Sequence, residues 1–291
     1  MKWTWLAATA LVVAGCGGGA DTPAPTATPT RTPTAASVRV APLCERADRE
    51  ELGRAENPAI TELSGLARTA EGRFWAHNDS GDGPRVFELD TTGAFLREVA
   101  VQGAEAYDWE DLAIRGDTLY VGDIGDNLGQ RESVQVHRFT LPEGPTAQAT
   151  TLTLRYEDRP HDAEALLVDP RNGELAIVTK DFRGIAEVFT ARQSGTLAKV
   201  AELNLGLGQA VTAGDVSADG KTIILRSYGR AFVWERAENE SLATALKREP
   251  CIVKANLIQE GQGESIALSP DGRAFSTIPE GPNPVLRRYG G

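Results

Sequence analysis

Three glutamates occupy matching places along the chain. Glu110, Glu164 and Glu264 each stand two residues before the first apolar residue of a strand-like run. Carboxylates that converge on one point repel each other and raise each other's pKa unless a cation neutralises them. Calcium takes about six to eight oxygen ligands, so a ring of carboxylate, hydroxyl and carbonyl oxygens suits it. These residues therefore suggest cation binding, provided that the fold brings them together.

A repeated pair of strands is the element that must position the glutamates. Similar stretches begin at residues 63, 109, 163, 213 and 263, and each contains a strand, a tight turn, a second strand and a polar stretch with glycine. The first apolar residues of the five inner strands are Leu66, Leu112, Leu166, Val216 and Ile266. Their spacings are 46, 54, 50 and 50 residues, close to the ~40–50 residues of one propeller blade. The repeat predicts an all-β fold, a five-bladed β-propeller whose inner strands line the central axis.

The last blade needs a strand from elsewhere, because the chain ends soon after the strand at 284–289. An otherwise unassigned strand at 36–43 is predicted to complete that blade and close the ring, which removes an exposed sheet edge. The segment 45–58 lacks strand patterning and is predicted to be a short helix or loop. A six-bladed propeller is the alternative count, and an open sandwich does not explain the regular spacing.

The start of each inner strand gives one ring of positions around the axis. Those five positions hold Ser64, Glu110, Glu164, Gly214 and Glu264. Glu110, Glu164 and Glu264 thus become three carboxylates that converge on one point, where an axial Ca²⁺ is predicted. The alternative is a water-filled channel with a polar lining and no metal.

Polar residues also follow the second strand of each repeat, where the loops are predicted to gather at one mouth of the channel. Strand-end loops often carry function. The catalytic candidates among them are Asp79, Asp123, Lys180 and Arg226. Lys180 and Arg226 add positive charge, which suits a phosphate or carboxylate ligand. Solvated turn residues are the alternative for each position, and the sequence contains no GxSxG, HExxH or P-loop motif.

The N-terminus has the pattern of an export signal. An apolar run at 3–14 is shorter than the roughly 20 residues that span a bilayer. "VVAGC" at 12–16 resembles the bacterial lipobox, in which Cys16 would carry the lipid. We predict a signal peptide at 1–15, a Gly/Thr/Pro-rich tether at 16–36 and a propeller domain at 37–291. The protein would be extracytoplasmic, in the periplasm or at the cell surface, with a bacterial membrane as its partner. A plain signal peptide with a chance cysteine is the alternative.

The remaining cysteines and the net charge narrow the class of protein further. In an exported chain Cys44 and Cys251 predict one disulfide, with two free buried thiols as the alternative. The net charge of −11 argues against a nucleic-acid partner, since phosphate binding needs clustered Lys and Arg. It agrees with a soluble exported protein or a cation binder.

The order Ser, Glu, Glu, variable residue, Glu resembles the calcium-activated nucleotidases, or apyrases. The similar stretches are "ELSGLA", "WEDLAIRGDTLYVGDIG" and "GESIA". The resemblance implies a five-bladed propeller with an axial calcium that hydrolyses nucleoside diphosphates. By that resemblance the calcium ligands would be Ser64, Glu110, Glu164 and Glu264, and Asp79 would lie near the substrate phosphates. Gly214 stands where that family has Ser, and Asp215 is the residue that would compensate. The chain also resembles, more loosely, the phytase-like and lactonase-like propellers.

Two functions follow as expectations. The first is a membrane-anchored, monomeric domain that binds a small molecule or a protein at its mouth, or acts as a scaffold, with an axial calcium. The absence of a nucleophile–base arrangement favours this function. The second is a calcium-dependent phosphohydrolase, nucleotidase-like or phytase-like. The ring of glutamates, together with Lys180 and Arg226, favours that one.

Overall fold

The structure, a computed structural model, describes residues 41–290 and consists almost entirely of β-strands. It contains the short helices α1 (Pro42–Glu45) and α2 (Leu242–Leu246) and a 3-10 helix at Leu257–Glu260. The strands are β1 (Asp48–Arg54), β2 (Leu63–Arg68), β3 (Phe74–Asn78), β4 (Arg85–Leu89), β5 (Phe95–Gln102), β6 (Trp109–Arg115), β7 (Thr118–Asp123), β8 (Val134–Thr140), β9 (Thr146–Gln148), β10 (Thr150–Tyr156), β11 (Ala163–Val168), β12 (Leu175–Thr179), β13 (Ile185–Ala191), β14 (Gly195–Asn204), β15 (Val211–Val216), β16 (Thr222–Ser227), β17 (Ala231–Glu235), β18 (Cys251–Ile252), β19 (Ala267–Leu268), β20 (Ala274–Thr277) and β21 (Val285–Gly290).

The turn inside each repeat carries a glycine in the left-handed region. These glycines are Gly72, Gly116, Gly173, Gly220 and Gly272, with φ between 60° and 91°. Glycine adopts positive φ without the Cβ clash that other residues meet, so these positions reverse the chain tightly. The antiparallel pairs β2–β3, β6–β7, β11–β12, β15–β16 and β19–β20 follow from these turns.

The strands associate in antiparallel groups of four. The groups are β2–β5, then β6, β7, β8 and β10, then β11–β14, then β15–β18, and last β19–β21 with β1. The short β9 adds a parallel fifth strand beside β5. The inner strands β2, β6, β11, β15 and β19 contact one another in that order, and β19 also contacts β2. This cycle confirms a propeller-like fold. The number of blades stays a prediction, because β10 also pairs with β14 and joins two groups into one eight-stranded sheet.

Apolar side chains fill the space between neighbouring groups. In residues 41–290 one buried cluster lies at each of the five contacts between groups in the cycle. Between the first two groups, for example, Trp75 and Val86 pack with Leu112 and Val121. Each fully buried side chain of this kind stabilises the fold by about 1.5–3 kcal/mol, so face-to-face packing fixes where the inner strands lie.

The strand that completes the last group is not the predicted one. β1 pairs with β21 along 48–54, whereas 45–58 was expected to be a helix or loop. Of the predicted closing strand at 36–43, residues 41–43 include the start of α1, and residues 36–40 lie outside the described part of the chain. β1 is mostly exposed and carries five charged residues in DREELGR, so it has no apolar alternation to reveal it. Its backbone hydrogen bonds to β21 define it, and its charges suit an outer edge.

The predicted disulfide is confirmed. Cys44 in α1 and Cys251 in β18 are bonded, with a Cα–Cα distance of 6.0 Å across 207 residues of sequence. A structural disulfide indicates an oxidising compartment outside the cytoplasm. Within residues 41–290, no helix has the length and hydropathy to cross a membrane. The predicted signal peptide, tether and lipidated Cys16 lie outside the described residues.

Candidate metal centre

At the start of two inner strands, a β-bulge sets the direction of a glutamate side chain. In β6 the register shifts so that Glu110 is left without a partner between Trp109 and Asp111. In β11 the same shift leaves out Glu164. A bulge inserts an extra residue, breaks the alternation of side chains and re-aims the bulged one. This explains why the consecutive residues Glu110 and Asp111 are both buried, at 3 % and 0 % exposed.

The bulge corrects the predicted ring in the fourth repeat. In β15 the residue left out is Thr212, so Thr212 and not Gly214 corresponds to Glu110. The Thr212 hydroxyl donates to the Gly263 carbonyl (3.0 Å). Gly214 is a packing position, since a Cβ there would lie 2.6 Å from the side chain of Leu225.

Ser64 lies on β2 near the axis, as its place in the repeat predicts, and its hydroxyl donates to the carbonyl of Glu110 (2.7 Å). The bulged residue in β2 is the next one, Gly65, with φ of 67°. The contact of Ser64 therefore joins two neighbouring inner strands. Its predicted role as a metal ligand stays a prediction.

Six carboxyl groups gather where the inner strands begin, and we call them the axial carboxylate cluster. They are Asp79, Asp108, Glu110, Glu164, Glu264 and Glu280. One carboxylate oxygen from each of Asp79, Asp108 and Glu110 lies within 4.8 Å of the others. The same holds for Asp79, Glu264 and Glu280. Asp79 belongs to both sets.

Loops at one end of the strands hold the cluster together. Asp79 directly follows β3 and donates its backbone N–H to the Glu62 carbonyl (2.8 Å). Glu280, after β20, donates in the same way to Gln262 (3.0 Å). Gly125, after β7, faces the first set, because a Cβ there would lie 2.2 Å from Glu110 Oε1 and 2.5 Å from Asp108 Oδ2. Only a residue without a side chain leaves these two carboxylates their space.

Lys180 and Tyr228 are the partners of Glu164 and Glu264 in the cluster. The Lys180 ammonium forms an ion pair with Glu164 Oε1 and lies 5.7 Å from the centre of the Tyr228 ring. The Tyr228 hydroxyl donates to Glu264 Oε1 (2.7 Å). The second oxygen of Glu164, Oε2, is buried and has no hydrogen-bond partner among the described residues. Six carboxyl groups thus face a single ammonium in this cluster, which leaves a large excess of negative charge.

The protonation equilibria reflect that excess. Burial raises the pKa of Glu164 to about 8, and repulsion from Glu264 adds to this although Lys180 opposes it. Burial and then the charge of Glu164 raise the pKa of Glu110 well above its usual range. Burial and repulsion from Asp79 raise the pKa of Asp108 to about 6. Burial and contact with Glu264 raise the pKa of Glu280 to about 8. A cation would favour the ionised form of every one of these groups.

Two of the four catalytic candidates lie outside the cluster. Asp123 is 1 % exposed; it forms an ion pair with Arg131 (2.8 Å) and accepts the backbone N–H of Asp108 (3.0 Å). Arg226 is fully buried and pairs with Glu260 (3.2 Å). The structure brings the other two, Asp79 and Lys180, into the site. All four catalytic roles stay predictions.

Sequence reasoning did not select Asp108 and Glu280 as ligands. Asp108 stands two residues before Glu110, a spacing that places both side chains on one face of a strand. Glu280 gives no comparable signal, because it lies three residues past the end of β20 in a loop whose path the pattern does not define.

A cleft of about 530 Å³ opens next to Lys180. Its lining residues include Asp126, Leu128, His161, Asp162, Lys180 and Arg183. His161 is held in the wall by Asp158 (2.9 Å) and Glu187 (3.2 Å). The volume falls in the range of small-molecule sites, about 300–1,000 Å³, so a ligand has room beside the cluster.

Two further axial carboxylates are satisfied by peptide groups. Asp111 accepts the backbone N–H groups of Leu112 (2.9 Å), Leu166 (2.9 Å) and Gly214 (3.1 Å), and so joins β6, β11 and β15. Burial raises its pKa well above the usual range. Asp215, which would compensate for Gly214 at the metal, instead accepts N–H groups with both oxygens, from Val216 and Leu268 (2.7 Å each).

Comparison with known proteins supports the fold. No known family profile matches the chain, and no curated protein sequence matches it significantly. The PQQ-bound aldose sugar dehydrogenase from Streptomyces coelicolor is similar in structure, with a TM-score of 0.52 and 10 % identity over 84 % of this chain and 98 % of that one. Two glucose dehydrogenases give TM-scores of 0.51 at 8 % and 9 % identity, each over 84 % of this chain and 99 % of the other. These neighbours are β-propellers, and at such identities the likeness shows the propeller-like fold alone.

Proposed function

We propose that this protein is an extracytoplasmic β-propeller that binds calcium in the axial carboxylate cluster and a ligand at the adjoining mouth. The observation that carries the proposal is the set Asp79, Asp108 and Glu110, whose oxygens lie within 4.8 Å of one another. Calcium–oxygen distances are about 2.3–2.6 Å, so oxygens on opposite sides of one ion lie about 5 Å apart. One ion can therefore contact all three carboxylates.

The partnerless oxygen of Glu164 supports a cation at this place. A buried carboxylate oxygen without a donor loses its hydration and gains nothing in exchange. Glu164 Oε1 is paired with Lys180, whereas Oε2 has no partner in the described part of the chain. A cation beside Glu110 would give Oε2 the positive charge that the protein does not supply.

The donor set favours calcium over other metals. The ligands in both sets are carboxylate oxygens, and neither set contains a histidine or a cysteine. Zinc and copper prefer nitrogen and sulfur ligands, whereas hard cations prefer oxygen. Several carboxylates on loops suit the large, adaptable coordination shell of calcium better than the strict octahedron of magnesium.

The test is thermal unfolding of the purified protein with calcium and with a chelator. A ligand that binds only the native state raises the midpoint, and 100-fold saturation adds about 2.7 kcal/mol of stability. We expect calcium to raise the midpoint of the wild type and to raise that of Glu110→Gln by less. Glu132→Gln, the same change at an exposed position, is the control and should respond like the wild type. A wild-type midpoint that is the same in calcium and in chelator contradicts the proposal.

The mouth and the anchor complete the proposed function. The cleft beside Lys180 is the proposed place for a small-molecule or protein ligand of a monomeric domain. The lipid at Cys16 would hold the domain at a bacterial membrane, with residues 16–36 as the spacer. Cys16→Ala should move the protein from the membrane fraction to the soluble fraction, and retention in the membrane would argue against the anchor.

A calcium-dependent phosphohydrolase is the second candidate. The observation in its favour is that Lys180 lines the cleft and also contacts the cluster, so a phosphate in the cleft could meet both the ammonium and a bound cation. Asp79, half-buried between the two carboxylate sets, would orient a water. The resemblance to nucleotidases agrees with this. Phosphate release from nucleoside diphosphates, with and without chelator, tests it, and Asp79→Asn should abolish release. If no substrate releases phosphate, the hydrolase candidate is rejected and the binding function remains.

The residues at the mouth do not fit PQQ. This quinone carries carboxylates that are negative near neutral pH, and the cluster presents six carboxyl groups of its own. We therefore derive no dehydrogenase chemistry from the similar structures.

A further inference from the structure

The axial carboxylate cluster contains two sets of converging oxygens, and we propose that it holds two calcium ions with Asp79 between them. The first position is that of Asp79, Asp108 and Glu110. The second is formed by Asp79, Glu264 and Glu280. This inference rests on the proposed cation binding at the first position.

The distances separate the two positions. Each set of three oxygens fits within 4.8 Å, the width of one calcium coordination shell, but among the described residues the two sets do not merge into one group of that size. The two sets therefore define two positions for an ion. Asp79 belongs to both sets, and a carboxylate has two oxygens, so it can contact one ion with each.

Glu164 gives independent evidence that the region lacks positive charge. It is 2 % exposed and its Oε2 has no partner among residues 41–290. Its charge repels both Glu110 of the first set and Glu264 of the second, which places it beside both. With all six carboxyl groups ionised and Lys180 charged, one calcium leaves a formal charge of −3 and two leave −1. Two ions therefore offset more of the charge of these carboxylates than one ion does.

Neutral donors orient the carboxylates of the second position. The Tyr228 hydroxyl donates to Glu264 Oε1 (2.7 Å), and the Gln262 amide donates to Glu280 Oε2 (2.7 Å). Each contact uses one oxygen and leaves the other for a metal. Donors that hold a ligating carboxylate from behind are the usual support of a metal site.

Calcium counting by isothermal titration of the full-length protein in detergent, with calcium as the only added ligand, tests the inference. We expect two ions per chain for the wild type, one for Glu280→Gln, one for Asp108→Asn and two for the control Glu132→Gln. Two ions in Glu280→Gln would overturn the assignment of the second position. One ion in the wild type would overturn the second position and leave the proposed function intact, and no ion would overturn both. Circular dichroism establishes that each variant is folded.

A milder variant keeps every carboxylate in place. Gln262→Ala removes only the donor to Glu280 and should weaken binding of one of the two ions by about 10–100-fold while the other keeps its affinity. A variant with both affinities unchanged would contradict the second position, because its supporting donor would then have no effect.

Discussion

Glu110 and Asp111 are consecutive in the chain and both are buried on the axis, yet their surroundings are opposite. Asp111 points into the inner strands and accepts three backbone N–H groups. Glu110 points toward the mouth, where burial and then the charges of Glu164, Asp79 and Asp108 raise its pKa. The bulge at Glu110 is what sends the two side chains to different regions.

The difference shows how burial of an acid can serve structure or binding. A carboxylate whose oxygens are filled by peptide groups holds strands together and has no capacity left for a ligand. A carboxylate among other carboxylates has unused acceptor capacity and excess charge, so its neighbours favour a cation. The axis thus has a closed interior at Asp111 and an open acidic end at Glu110.

The largest effect should come from Asp111→Ala. The change leaves three buried N–H groups without an acceptor, and we expect a loss of about 3–5 kcal/mol in the free energy of unfolding. The loss should be the same in calcium and in chelator, because the interior binds no ion. Urea denaturation measures it, with Asp111→Asn as the milder control. A loss of stability that appears only in calcium would place Asp111 in the metal site. Asp111 and Glu110 would then no longer differ in role.

Glu110→Gln should increase the free energy of unfolding when no cation is present, whereas Asp111→Ala decreases it. The substitution removes a buried charge from the cluster, so in chelator we expect the variant to be more stable than the wild type by about 1 kcal/mol. Urea denaturation in chelator measures the difference. A destabilised variant would show that Glu110, like Asp111, has a structural role.

The pH dependence of unfolding sharpens the comparison further. The pKa values of Asp108, about 6, and Glu164, about 8, are above the ordinary value near 4 of an unfolded chain, so the native state keeps protons that the unfolded state releases. This contribution to stability is complete below about pH 4 and is lost as the pH rises through 6 and 8.

In chelator, the melting temperature should therefore decrease as the pH is raised from 5 to 8. Calcium competes with the protons, so the rise in midpoint that calcium produces should grow over the same range. Melting curves at several pH values check both trends. A calcium effect that does not vary with pH would argue against carboxylate ligands of raised pKa.

The smallest effect should come from Ser64→Ala. The structure assigns the hydroxyl to a hydrogen bond with the Glu110 carbonyl, and its loss should cost about 1 kcal/mol. Calcium affinity should change little if the hydroxyl is not a ligand. A loss of affinity greater than about tenfold, measured by titration, would instead support the metal-ligand role that the sequence suggests for Ser64.

Much of the fold could be predicted, because the repeat depends on interactions between residues that are close in sequence. Glycines at the turns and apolar runs beside them define each hairpin without reference to the rest of the chain. The closing strand could not be found in this way. β1 is an exposed edge strand, so its sequence carries charge and no alternation, and its only signature is the pairing with β21.

The candidate site was predictable in part, for a related reason. Glu110, Glu164 and Glu264 share a place in the repeat, and the cycle of inner strands makes that place a common centre. Thr212 shows the limit, since the position of a bulge depends on the partner strand and shifted the ring by two residues in the fourth repeat.

The sequence by itself determined the repeated hairpins, the excess of acid at the start of the inner strands and the pair of cysteines, because each is a property of neighbouring residues or of composition. Tertiary structure alone decided which acids meet. Bulges, loop paths and the close approach of Gly125 to two carboxylates set the positions of the side chains. Those positions decide whether a buried carboxylate meets a peptide N–H, as Asp111 does, or other carboxylates, as Glu110 does.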